Sequence, residues 1–419
     1  MQKFIITGGN RLNGEIELQG SKNSALPIMA AAFLAKGKCT LESCPNLTDV
    51  YSAARILNSL GSKCSITGNR AEIDSTVVSG SKISETLMRE MRSSIMFMGA
   101  ILGRMGECTF SVPGGCELGP RPIDMHLAAL SKMGAEITDI NGEITCRMPK
   151  GRGRGAKISL SFPSVGATEN IILCAVLAEG ETVINNAARE PEICDMCHFL
   201  RRCGARIKGD GESHIVVEGV ESLHGCEYRI MPDRIAGATY LAMTAAAGGA
   251  MILKNACIAE MEPFISVLEQ TGCFICAADN RIYLRRGGRL KAIRDRIRTM
   301  PHPGFPTDAQ AVLMAALITA DGTSVFEENI FDCRYRHTDA LIKMGADIQV
   351  MGKAAVIRGV KRLHGADVEA TDLRGGAAMA VAAVGAEGIT RISCISHIDR
   401  GYENFEDVIT SLGGKIRRE

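Results

Sequence analysis

Two interleaved glycine series constrain this 419-residue chain more than any other feature. Gly37, Gly106, Gly180, Gly249, Gly322 and Gly388 each close an apolar helical stretch, at intervals of 66–74 residues. Gly61, Gly134, Gly204, Gly272, Gly345 and Gly413 end amphipathic stretches, at intervals of 68–73 residues. One period held by two independent series across six copies marks an internal repeat.

Each copy reads alike. A helix apolar nearly all round comes first, as in Asn23–Ala35 or Ala309–Ile318. Such a helix belongs inside, not on a surface. A glycine cap and a short strand follow, as in Glu181–Asn185. Then come an amphipathic helix such as Ile123–Lys132 and a strand pair such as Ala205–Lys208 and His214–Glu218, joined by the turn Gly209–Glu212. The expected fold class is α/β: a two-domain inside-out α/β barrel of six repeats of about 70 residues, three per domain, with buried helices surrounded by sheets. Residues 22–229 form the first domain in this scheme. Residues 1–21 and 230–419 form the second, so the chain crosses twice.

Composition narrows the function. Apolar content of 46% and charged content of 23% are ordinary for a soluble globular chain. A net charge of +1 without a basic tail or stripe does not suggest nucleic-acid binding through bulk electrostatics, and no nucleic-acid partner is expected. The start, Met1–Thr7, lacks a signal-peptide core, and the longest apolar run, Leu241–Leu253, is too short to span a bilayer. A cytoplasmic protein without membrane partners is expected, so its sixteen cysteines are read as free thiols. The pairs Cys194/Cys197 and Cys273/Cys276 have C-x-x-C spacing but lie too far apart for a zinc site. No metal is expected, and no Walker or dinucleotide signature is present.

The repeat locates the chemistry. The buried helices begin at Lys22, Arg92, Ser164-Val165-Gly166, Arg234, Asp308 and Arg374. The amphipathic ones begin at Thr48, Arg121, Pro191, Ala259, Arg334 and Arg400. Cations are the disfavoured charge at a helix N-terminus. Recurring there, they make sense if they jointly hold an anion carrying several charges. Asp308, after Phe305-Pro306-Thr307, is the carboxylate among them: either an N-cap or a proton acceptor for a substrate hydroxyl. The loop Pro113–Met125 adds a thiol, Cys116, near a guanidinium, Arg121, among glycines that let a ligand approach the backbone.

The motifs Gly20-Ser-Lys-Asn-Ser-Ala-Leu-Pro, Pro113-Gly-Gly-Cys, Gly119-Pro-Arg-Pro-Ile-Asp, Ser164-Val-Gly-Ala-Thr, Ala187-Ala-Arg-Glu-Pro-Glu, Pro306-Thr-Asp, Thr371-Asp-Leu-Arg and His397-Ile-Asp-Arg-Gly-Tyr-Glu run from end to end. By these the chain resembles the enolpyruvyl transferases, in particular the branch that acts on UDP-N-acetylglucosamine. The resemblance implies the same two-domain fold and transfer of the enolpyruvyl group of phosphoenolpyruvate to the sugar 3-hydroxyl, with release of phosphate, in peptidoglycan synthesis. Both substrates are small molecules, and no cofactor is implied.

The resemblance also implies roles. Lys22, Arg121 and Arg400 would hold phosphate, and Arg334 and Arg374 the carboxylate of phosphoenolpyruvate. Cys116 would protonate the methylene carbon and react with an anionic epoxide such as fosfomycin, and Asp308 would take the hydroxyl proton. Asn23 and Arg92 would meet the sugar nucleotide, with Arg121, Pro122, Ile123, Asp124 and Met125, and Ser164, Val165 and Gly166, around its uridine and diphosphate. Ile330 would lie beside the sugar. Thr48, Asp332, Cys333 and Met96 depart from the family pattern. A shikimate-pathway transferase and a non-catalytic paralogue that binds the nucleotide are the alternatives.

Overall fold

The computed structural model describes residues 2–111 and 123–419, and the side chains of all of these except Arg92 and Ser93. Two compact units emerge. One combines the chain up to Gln19 with Pro232–Glu419, and the other lies within Gly20–Met231. Each has its own apolar core, drawn from its own residues.

The helices at the centre of each core are predominantly apolar and buried, several of them rich in alanine. In Lys22–Ala32 only Asn23 escapes burial, and Arg234–Ala247 is buried from Arg234 to Ala246. Small side chains let such helices approach closely, so within one unit Phe97–Met105 packs on Val165–Ala175. In the other, Thr307–Leu317 packs on both Arg234–Ala247 and Leu373–Gly385.

One repeat shows the plan. Strand Lys157–Ser159 leads into the buried helix Val165–Ala175 and returns as Glu181–Asn185, parallel to the first strand. The surface helix Pro191–Arg202 follows, then the hairpin Arg206–Lys208 and His214–Glu218, whose second strand pairs antiparallel with Glu181–Asn185. Five four-stranded sheets follow this plan, and a three-stranded sheet replaces its outer strand with a single parallel bridge, Lys82 to Thr109. The sheets remain separate; among the described residues none closes into a barrel.

The chain ends complete sheets begun elsewhere. Leu12–Glu17 lies parallel to Gly249–Lys254, and Lys3–Thr7 pairs with both Ile389–Ser393 and Lys415–Arg418. In the other unit Glu227–Arg229 lies parallel to Lys38–Glu42.

The second glycine series now has its cause. All six have φ between 87° and 102°, the left-handed region that spares glycine a Cβ clash. Each follows a surface helix: Gly204 N–H donates to Arg201 C=O (3.0 Å) and Ala205 N–H to Leu200 C=O (3.0 Å), a Schellman ending. The carbonyls ending the buried helices instead meet arginines. Arg104 donates to the Phe33 and Ala35 carbonyls, and Arg286 to those of Ala245 and Ala246. Cations are favoured at that end of a helix dipole. Among the described residues no helix is long and apolar enough to cross a membrane.

Candidate active site

In the unit containing Pro232–Glu419, sequence-distant charges meet at the start of Thr307–Leu317. Arg334 donates to Asp308 Oδ1 (2.8 Å) and to the Thr307 carbonyl (3.1 Å), while Arg374 donates to Asp308 Oδ2 (3.0 Å). The arginine side chains are 3% and 4% exposed, and that of Asp308 is 28% exposed. A half-open carboxylate thus has each oxygen engaged by a buried guanidinium. Burial opposes the Arg374 charge, but Asp308, Tyr402 and Asp233 together outweigh it and hold its pKa above the ordinary value.

The surroundings fix these side chains. Glu328 is buried and accepts from Thr307 Oγ1 (3.0 Å) and from the Ile330 and Phe331 amides (2.9 and 3.1 Å). That knot sets the turn carrying Ile330 and leading to Arg334, whose guanidinium lies over the Phe331 ring. Asp372 caps Leu373–Gly385 through the Arg374 and Gly375 amides, and the Tyr402 hydroxyl accepts from Arg374 (3.3 Å). His337 donates through Nδ1–H to the Arg334 carbonyl (3.1 Å), and burial lowers its pKa to about 4, so it is neutral.

The other unit places Lys22 against Asp49 at 2.7 Å, both buried. Asp49 stands in the first turn of Thr48–Ser59, where a carboxylate is favoured. Half-buried Asn23 follows Lys22, and Ser24 then donates to Asp195, which also accepts from the Tyr228 hydroxyl and the Met231 amide. A second group joins two helix starts. Ser164 caps Val165–Ala175 through the Ala167 amide, and Asp124 and Met125 open Asp124–Lys132 behind Ile123. His126 Nδ1 lies 3.0 Å from the Asn170 amide nitrogen, which also donates to the Gly166 carbonyl. Burial lowers the His126 pKa to about 4; it is neutral and accepts at Nδ1. A Cβ on Gly166 would lie 3.1 Å from the His126 ring.

The structure therefore brings together Asp308, Arg334 and Arg374 in one unit, and Ile123, Asp124, Met125, Ser164, Val165 and Gly166 in the other. Cys116, Arg121 and Pro122 lie outside the described residues, as does the Arg92 side chain. Three expectations change. Pro306, not Asp308, is the N-cap of Thr307–Leu317. Arg334 begins no helix; it precedes Thr338–Lys343 within a turn. Arg400 ends the one-turn helix Ser396–Asp399, because the segment turns at Gly401 before Asn404 restarts it with φ 46°. That segment also carries Tyr402, the partner of Arg374.

Asp49, Asp195, Asn170, His126, Glu328 and Tyr402 were not singled out by sequence. They act on their neighbours rather than recurring in the repeat; an acid in a helix's first turn was the available sign for Asp49.

Glu169 adds a stability term beside this group. It is buried, and burial together with Glu192 and Glu190 raises its pKa from 4.5 to about 8. A raised folded-state pKa means that the contribution to stability is complete below the unfolded value and is lost as pH rises through the folded one. Stability should therefore fall between pH 4.5 and about 8, by on the order of a few kcal/mol. Glu169→Gln should flatten the urea midpoint across that window; an unchanged slope would remove Glu169 as its source.

Among the described residues no group of three His, Cys, Asp or Glu is arranged to hold a metal. Residues 6–409 match the model of the EPSP synthase (3-phosphoshikimate 1-carboxyvinyltransferase) family. UDP-N-acetylglucosamine 1-carboxyvinyltransferase 2 of Caldanaerobacter subterraneus subsp. tengcongensis is 49% identical over 418 residues, covering 100% of both chains. The UDP-N-acetylglucosamine 1-carboxyvinyltransferase of Psychrobacter sp. (strain PRwf-1) is 44% identical, covering 100% of this chain and 96% of its own. Among solved structures, the enolpyruvyl transferase NikO from Streptomyces tendae superposes with a TM-score of 0.89 at 22% identity, covering 100% of this chain and 98% of its own. EPSP synthase from Acinetobacter baumannii superposes with a TM-score of 0.80 at 19% identity over 100% of both.

Proposed function

Since the chain belongs to the EPSP synthase (3-phosphoshikimate 1-carboxyvinyltransferase) family, we infer that it transfers the enolpyruvyl group of phosphoenolpyruvate to the 3-hydroxyl of UDP-N-acetylglucosamine, releasing phosphate. This is the first committed step of peptidoglycan synthesis. The acceptor follows from full-length relatives at 49% and 44% identity that carry this activity in their names. A shikimate acceptor has weaker support, because the EPSP synthase structure shares the fold at only 19% identity.

The observation that carries the chemistry is the Asp308 carboxylate held by Arg334 and Arg374. Two buried guanidiniums already aimed at a carboxylate suit the carboxylate of phosphoenolpyruvate. As they turn to that anion, Asp308 loses donors that suppress its basicity and can accept the sugar hydroxyl proton. The oxygen then attacks the enolpyruvyl C2 while Cys116 supplies a proton to the methylene carbon. A proton is next lost from the resulting methyl group, the double bond reforms, and the C–O bond to phosphate breaks so that phosphate leaves toward Lys22, Arg121 and Arg400. Asn23, Arg92, residues 121–125 and residues 164–166 hold the nucleotide, and Ile330 packs by the sugar. Retention of Asp49 beside Lys22 and of both arginines on Asp308 speaks against a non-catalytic paralogue, despite Thr48 and Asp332.

Phosphate release from phosphoenolpyruvate tests this reading with each acceptor in turn. Release with UDP-N-acetylglucosamine and none with shikimate 3-phosphate is expected. The reverse preference, or binding of the nucleotide without release, would overturn it.

A further inference from the structure

A cluster of thiols has no part in the chemistry assigned above. Cys203, which ends the helix Pro191–Arg202, has its Sγ 3.4 Å from Sγ of Cys226, one residue before the strand Glu227–Arg229. Cys39 joins them from the neighbouring strand Lys38–Glu42, where the Thr40 amide donates to the Cys226 carbonyl (2.9 Å). Cys39 is buried beside them and its titration is coupled to theirs. We propose that Cys203 and Cys226 are a redox-active pair that hydrogen peroxide converts to an intramolecular disulfide, with Cys39 as the third thiol beside it.

Access sets the order of events. Cys39 and Cys203 are 0% and 1% exposed, whereas Cys226 is half-buried, so Cys226 meets the oxidant first. Its sulfur attacks the peroxide, the O–O bond breaks, and Cys226 becomes a sulfenic acid as one water leaves. The Cys203 sulfur then attacks the Cys226 sulfur. The S–S bond forms, the S–O bond breaks, and hydroxide leaves as water with the Cys203 proton. Two thiols thus lose two electrons and two protons, and one peroxide becomes two waters. The sulfurs need to close from 3.4 Å to about 2.05 Å.

The three thiols titrate together. Cys203 and then Cys226 lower the Cys39 thiol below the ordinary range, whereas Cys226 and then Cys39 raise Cys203; Cys203 lowers Cys226, but Cys39 and burial leave it raised to about 11. Cys108 and Cys146 are the contrast: they face each other across antiparallel strands, yet both are fully buried and neither gives an oxidant the access that half-buried Cys226 does. The cluster is also not arranged as a metal cage. Its two partners flank Asp195 and Tyr228, whose hydrogen bond steadies Ser24 two residues from Lys22. A disulfide would tie that helix to that strand.

Brief treatment of the full chain with hydrogen peroxide, followed by alkylation of remaining thiols and non-reducing tryptic mapping, tests the pair. The peptide 203–206 should appear linked to 209–229, and dithiothreitol should release both. Cys226→Ser and Cys203→Ser should each abolish the link, while Cys39→Ser should retain it. Circular dichroism of each serine variant checks that the fold is intact. Oxidation confined to other thiols such as exposed Cys276, or crosslinks joining two molecules, would overturn the proposal. So would a 203–226 link that forms equally fast in urea-unfolded protein.

Discussion

Asp308→Asn should lower turnover by roughly 10²–10⁴-fold, the range that a positioned general base contributes, while UDP-N-acetylglucosamine binding stays within about tenfold. An amide has nearly the shape of the carboxylate but accepts no proton from a hydroxyl. It also offers only one acceptor oxygen where Arg334 and Arg374 now take one each. One guanidinium then faces an amide donor, so a loss of stability of about 1–3 kcal/mol should accompany the catalytic defect. Phosphate release measures the first effect, calorimetric titration of the nucleotide the second, and urea denaturation the third. Binding lost outright would make Asp308 an anchor for the sugar rather than its base. Turnover near that of the parent would remove it from the chemistry altogether.

The same residue shows how far sequence carries. Its number followed from the repeat, because the same offset from a closing glycine found Lys22, Arg234 and Arg374, each within the first two residues of its helix. The offset could not say which charges would meet. Arg334 reaches Asp308 through a turn tied by Glu328, and no periodic pattern encodes that knot. Arg400 was assigned to a helix start because its offset matched, but a one-turn helix and an Asn with positive φ shift the register locally. The six sheets were legible for a simpler reason: strand alternation and positive-φ glycines are local signals, repeated six times. The arginines that cap buried helix ends were not, since Arg104 and Arg286 look like ordinary surface charges until the carbonyls they serve are placed.

Glycines within helices were equally silent, and one of them should be intolerant of change. Gly99 lies inside Phe97–Met105 against Val165–Ala175. A Cβ there would stand 2.2 Å from the Asn170 carbonyl oxygen and 2.9 Å from its carbonyl carbon and Cα. These are backbone atoms of a buried helix and have no rotamer to escape into, so Gly99→Ala must push the two helices apart. Interiors packed at crystal-like density respond to such insertions with a cost of about 1–3 kcal/mol or more. The separation has a second effect. The Gly99 amide donates to Asn170 Oδ1 (2.6 Å), and the Asn170 amide group holds the Gly166 carbonyl and His126. Those contacts orient Ser164, Val165 and Gly166, assigned above to the nucleotide. Gly99→Ala should therefore lower the urea midpoint and raise KM for UDP-N-acetylglucosamine severalfold. Gly288→Ala is the control, because nothing lies within 4 Å of its added Cβ, and it should be near neutral in both measurements. If Gly99→Ala matched that control in stability, the close approach of these helices would not be a constraint on the fold. If stability fell while KM held, Asn170 would support the core without orienting the nucleotide site.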